Sequence, residues 1–180
     1  RQNDVFDGIA GYQGVGTAML PAGGEPVMAP AQLVTGNYFQ VLGVKAALGR
    51  TFGPDEDEVP GRDPVIVLSD DGWRRHFAAD PSIVGRSVTL NRHPFKVIGV
   101  APRGFRGVNV FGRPIGWLPS MCYREVLTGF ALENWDDRRA LLWSAVGRLK
   151  DGVSVAQAQA NLVTIAKRLE RDYATDNKGR

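Results

Sequence analysis

The sequence is poor in the residues that carry most enzyme chemistry. It holds one cysteine, Cys122, and two histidines, His76 and His93. A lone cysteine excludes an intramolecular disulfide and a cysteine-rich zinc site, and a chain without a disulfide is compatible with either side of a membrane. Neither histidine has a second histidine three or four positions away, so the paired spacing of a helical zinc site is missing. Long apolar runs are missing too. The richest, Leu141 to Val146, is strand-sized, whereas a helical span needs about 18 residues or more. A dense basic block is also lacking: 22 Lys and Arg are spread among 19 Asp and Glu for a formal charge of +3, which argues against a nucleic-acid partner.

Nucleophilic catalysis fares no better. Ser69, Ser82, Ser87, Ser120, Ser144, Ser154 and Cys122 are present, but none sits in a G-x-S-x-G elbow. Ser154 is better explained as a helix cap, and Cys122, between Met121 and Tyr123, as a small core residue. The run Asp55-Glu56-Asp57-Glu58 lacks the spacing that arranges ligands around Ca²⁺ and reads as a solvated loop. Gly8 to Gly16 resembles a phosphate cradle, yet no Lys-Ser/Thr follows it. No catalytic, cofactor-binding or metal-ligating residue is therefore assigned.

Hydrophobic residues at 43% and charged residues at 23% describe a globular chain, and 180 residues suffice for a core without covalent staples. Strands are expected around Thr17–Leu20 and Gln32–Thr35, joined by the Pro21-Ala22-Gly23-Gly24 turn. Tyr38, Phe39, Val41 and Leu42 form a two-turn helix started at Gly36 or Asn37 and stopped by Gly43. An exposed loop from Phe52 to Pro64 leads to a strand, Val65–Leu68, and then to a helix capped by Ser69 or Asp70 that buries Trp73 and Phe77. Ser87–Leu90 and Phe95–Val100 flank Asn91-Arg92-His93-Pro94 as a β-hairpin. Irregular backbone from Pro102 leads to a short strand at Gly116–Leu118.

The last segment carries the clearest pattern. Leu141–Leu149 reads as a strand and Lys150-Asp151-Gly152 as a turn, and Ser154 to Gln157 form a capping box. Val155, Ala158, Leu162, Ile165, Ala166, Leu169 and Tyr173 then recur at helical spacing, so a helix of about five turns should pack one face on a sheet. Among the aromatics, Trp135 stands beside Glu133, Asn134, Asp136 and Asp137, which makes it the one tryptophan expected to be partly exposed and the candidate ligand or partner contact.

One ordered combination is more specific than any single motif. Thr35-Gly36-Asn37-Tyr38-Phe39 with Val41-Leu42-Gly43-Val44 and then Leu48-Gly49-Arg50-Thr51-Phe52 resembles the V(S/T)xxYFxxLGVxxxxGRxF stretch of the MacB-like periplasmic core domain. Val67 to Trp73, Asp80 to Arg86, Val97 to Pro102 and Arg148 to Ser154 follow in the family's order, with Gly107 to Asp136 the least similar stretch.

The resemblance implies an extracytoplasmic (periplasmic) domain of an inner-membrane ABC-transporter permease of the MacB/FtsX-like kind. It also implies an α+β fold with a β-α-β porter-like lobe, approximately 1–52 and 136–180, and a mainly β lobe, approximately 53–135. The partners it implies are the protein's own transmembrane helices, a cytoplasmic ABC ATPase, a homodimeric or paired permease and a periplasmic adaptor. The expected role is non-catalytic: coupling ATP hydrolysis to export or mechanical work. Arg1 and Arg180 look like cut ends, as a domain taken from a longer chain would show. Two alternatives are an extracytoplasmic ligand-binding or sensor module for a peptide, lipid or sugar, and a hydrolase whose serine or histidine site assembles only in the fold.

Overall fold

A long, kinked pair of antiparallel arms opens the fold, although the sequence suggested only two short strands there. In this computed structural model, which describes residues 4–20, 25–108 and 112–174, these arms are β1 (Phe6–Val15) continued by β2 (Ala18–Leu20), and β3 (Val27–Met28) continued by β4 (Ala31–Val34). β1 pairs antiparallel with β4, and β2 with β3, so the two strands expected to be partners pair with others instead. The glycines at 8, 11 and 14 hide the alternation of β1 from any reading of apolar period. Hydrogen bonding along both edges holds it extended nonetheless. At the kink the Thr17 hydroxyl donates to the Ala29 carbonyl and Ala29 N–H donates to Thr17 O at 2.8 Å. The expected Pro21–Gly24 turn lies outside the described residues.

Along the rest of the chain come α1 (Tyr38–Leu42), β5 (Leu48–Gly49), β6 (Val65–Leu68), α2 (Asp70–Phe77), β7 (Ser87–Leu90) and β8 (His93–Val100). β9 (Gly116–Pro119), α3 (Tyr123–Val126), α4 (Gly129–Glu133), β10 (Ser144–Leu149) and α5 (Val155–Asp172) complete it. The strands share one sheet in the order β10-β1-β4-β9-β6-β8-β7-β2-β3, with β5 paired to β8. Because β2 continues β1, this order returns to the paired arms where it began, and the sheet curls until the two halves of those arms are linked through four other strands, β9, β6, β8 and β7. A register shift between β6 and β8 at Ile66/Val67 adds local bend to the ordinary strand twist. The fold is α+β.

Strand alternation sorts the apolar side chains into two clusters. Leu33, Ile66, Leu68, Phe95, Val97 and Leu118 point into one; Val34, Val65, Val67, Ile98 and Trp117 point into the other. The second is covered by α1, whose Phe39 meets Phe52 edge-on at 5.2 Å and Trp117 at 5.9 Å. Full burial of each large side chain contributes about 1.5–3 kcal/mol, so these clusters hold the sheet in its curl.

Most local expectations are met. The Ser69 hydroxyl caps α2 by accepting from Gly72 N–H at 2.9 Å, and α1 ends at Gly43 in the left-handed conformation. β7 and β8 join through Asn91-Arg92, with φ of 48° and 71°, the two-residue turn whose twist suits a hairpin. The Ser154–Gln157 capping box starts α5.

Three expectations need correction. α1 is shorter than two turns, at five residues. β10 begins at Ser144, because Leu141 adopts φ 51° and interrupts the strand. And α5, expected to lay its apolar face on the sheet, buries only Ala158. Val155 is 75% exposed and Leu162 47%. The helical period was real, but periodicity shows that a face exists and not what covers it.

Candidate functional site

The residues with chemical potential are separately committed to structure. Ser69 Oγ donates to Pro114 O at 2.6 Å while capping α2, Ser82 Oγ donates to Asp80 at 2.8 Å, and Ser120 Oγ donates to Asp57 at 2.9 Å. Cys122 is buried, and burial above all, with Glu125 next, pushes its thiol up to about 12, far from a reactive thiolate. Burial, followed by the Arg75 charge, lowers the His76 pKa, so the ring is neutral near pH 7. Asp80 follows His76 by four residues, but α2 has already ended in left-handed backbone at Ala78 and Ala79. The Asp80 carboxylate is instead held by Ser82 and Arg86. His93 is exposed on β8 beside the hairpin turn. Among the described residues no group of three or more His, Cys, Asp or Glu is placed to hold a metal ion.

The acidic run differs from the solvated loop expected. Its first part is a 3-10 turn over Pro54–Asp57, and the Asp57 carboxylate accepts from Gly36 N–H at 2.8 Å, Ser120 Oγ at 2.9 Å and Met121 N–H at 2.9 Å. It ties the start of α1 to the end of β9. Trp135 is half-buried: its ring stacks on Tyr123 at 4.3 Å and 3° and meets Trp143 edge-on at 5.3 Å.

One charged cleft was missed by local sequence reading. A cleft of about 270 Å³ runs between the start of α2 and the loop at 103–106, with Arg74, Arg103, Arg106 and Arg113 on its walls beside Asp70 and Asp71. Ser69 builds it: its side chain reaches Pro114, 45 residues away, and its N–H donates to Ile115 O at 2.8 Å, bringing together segments distant in sequence. No local pattern could report that pairing.

The structure is a curled mixed sheet packed on both faces and followed by a largely exposed helix, α5. The chain belongs to the MacB-like periplasmic core domain family, whose model matches residues 2–165. It is 29% identical over 156 residues to the macrolide export ATP-binding/permease protein MacB of Escherichia coli K12, a match covering 84% of this chain and 22% of that protein. The chain thus spans about a fifth of the length of that relative.

The fold is shared with the periplasmic region of MacB from Actinobacillus actinomycetemcomitans, at TM-score 0.69 and 19% identity over 93% of this chain and 69% of that one. It is also shared with the extracellular domain of the noncanonic ABC-type transporter YknZ from Gram-positive bacteria, at TM-score 0.64 and 15% identity, covering 95% and 78%. Among the described residues no helix is long and apolar enough to cross a membrane.

Proposed function

We propose that this domain is the non-catalytic extracytoplasmic part of an ABC-transporter permease and couples cytoplasmic ATP hydrolysis to export or mechanical work outside the inner membrane. The observation that carries the reading is the family match across residues 2–165. It is supported by serines and a cysteine already engaged in caps and core. The partners in this reading are the permease's transmembrane helices, an ABC ATPase, a paired copy or second permease, and a periplasmic adaptor. Trp135 is a contact residue in the same reading, because part of its surface stays accessible beyond the Tyr123 stack.

The reading also divides the chain into a porter-like part, 1–52 with 136–180, and a mainly β part, 53–135. The division is one of geometry within a shared sheet, since β4 pairs with β9 and β5 with β8 across it.

The test uses the full-length permease in a cysteine-free background carrying Leu162→Cys on the exposed face of α5. Crosslinking between paired domains is measured in membranes with ATP analogue or ADP bound to the ATPase. A yield that changes with the nucleotide is expected. Identical yields in both states, with the transporter active, would remove the coupling role.

A further inference from the structure

We propose that the arginine cleft between α2 and the 103–106 loop is a binding site for a doubly charged phosphate group. The inference stands on the cleft alone and holds whether or not the domain transmits force. Four guanidiniums face two carboxylates there, a surplus of two positive charges, which is most of the formal +3 of the whole chain. Asp70 is engaged by Arg74 at 2.9 Å, and Asp71 lies 3.8 Å from Arg113. Arg103 and Arg106 have no carboxylate partner among the described residues, so the excess sits on one wall.

The loop that carries them is pinned. Phe105 packs on Trp117 at 4.9 Å and on Phe39 at 6.3 Å, and its N–H donates to Pro102 O at 3.0 Å. Two residues on, Gly107 has φ 74°, and a Cβ there would lie 2.8 Å from Tyr38 Oη and 3.0 Å from Gln32 Oε1, so the backbone passes where only glycine fits. With Phe105 held inward, Arg103 and Arg106 are both exposed at the mouth of the same cleft. Ser69 fixes the opposite wall through Pro114 and Ile115.

A guanidinium presents a planar fork that matches phosphate oxygens two at a time, and a fixed backbone root lowers the ordering cost of using it. Two uncompensated forks match a dianion better than a single carboxylate. A phosphate monoester can reach the cleft free in solution or as the headgroup of a lipid such as phosphatidic acid, and the chemistry is shared.

The experiment titrates the 180-residue chain with inorganic phosphate, following heat or amide shifts. It compares the parent with Arg103→Ala/Arg106→Ala and with Lys167→Ala/Arg171→Ala, which removes equal charge from α5. Saturable binding by the parent is expected, weakened about tenfold or more by the cleft pair and less than about twofold by the α5 pair. Co-flotation with phosphatidylcholine vesicles containing phosphatidic acid, lost in the cleft pair, identifies a headgroup as the source. Phosphate binding without flotation identifies a soluble phosphate. No saturable phosphate binding by the parent, or equal weakening by both pairs, would overturn the proposal, because the charge would then act only diffusely.

Discussion

At the scale of single residues, Asp57 carries more structure than its neighbours. Its carboxylate satisfies two backbone N–H groups and one hydroxyl drawn from segments far apart in sequence. Asp57→Ala leaves those donors short of a partner and is expected to cost about 2–4 kcal/mol in urea denaturation. Glu56→Ala loses the Gly53 N–H contact and an Arg50 pair whose cation is largely exposed, and should cost under about 1 kcal/mol. Equal losses in the two variants would show that the Asp57 bonds are not holding the chain. Four adjacent acids look alike in sequence; which one turns inward depends on Gly36 and Met121 being nearby, and only the fold decides that.

Cys122 makes a second residue-scale prediction, with a definite sign. Its folded pKa of about 12 lies above the ordinary 9.0, mainly through burial. The buried neutral thiol therefore favours the fold fully below pH 9, and this contribution is lost as pH rises from about 9 towards 12. Cys122→Ala should flatten that part of the alkaline stability profile. In the native parent at pH 8, a thiol reagent should react only as fast as the chain unfolds. Prompt labelling under native conditions would contradict the burial.

At the scale of elements, what was legible in the sequence was local. The hairpin turn at Asn91-Arg92, the Ser69 cap, the Gly43 stop and the Ser154–Gln157 box all depend on residues within a few positions of one another, and all are present in the structure. β1 was missed because glycine removes the side chains that report strand period. The arginine cleft was missed because its two walls meet only after folding. α5 was recognised, but its environment was not. This sets up a comparison of one substitution at two places. Leu33 is fully buried in β4, so Leu33→Ala should cost about 2–5 kcal/mol, whereas Leu162→Ala on α5 should cost under about 1 kcal/mol. Similar costs would mean that α5 is packed in solution by a second copy or by the sheet.

At the scale of the molecule, the deciding feature is the close antiparallel pairing of β5 with β8. A Cβ at Gly99 would fall 2.2 Å from Arg50 O, and one at Gly49 would fall 2.3 Å from Ile98 O, so the two strands approach where neither carries a side chain. Together with the β4–β9 pairing, this pairing joins segment 1–52 to segment 53–135 through backbone hydrogen bonds rather than through a side-chain interface that could separate. The sheet should therefore unfold as one unit. Near-ultraviolet ellipticity and tryptophan fluorescence should give the same urea midpoint, and the amides of β4, β6, β8 and β9 should share one free energy of exchange. α5, tied to the rest by Ala158, should exchange at lower cost. Gly99→Ala should move both optical midpoints down together, because pushing β5 off β8 strains the link between the two segments rather than either one alone. Two separated midpoints in the parent protein would mean that the segments fold independently, and the single curled sheet would no longer account for how the domain holds together.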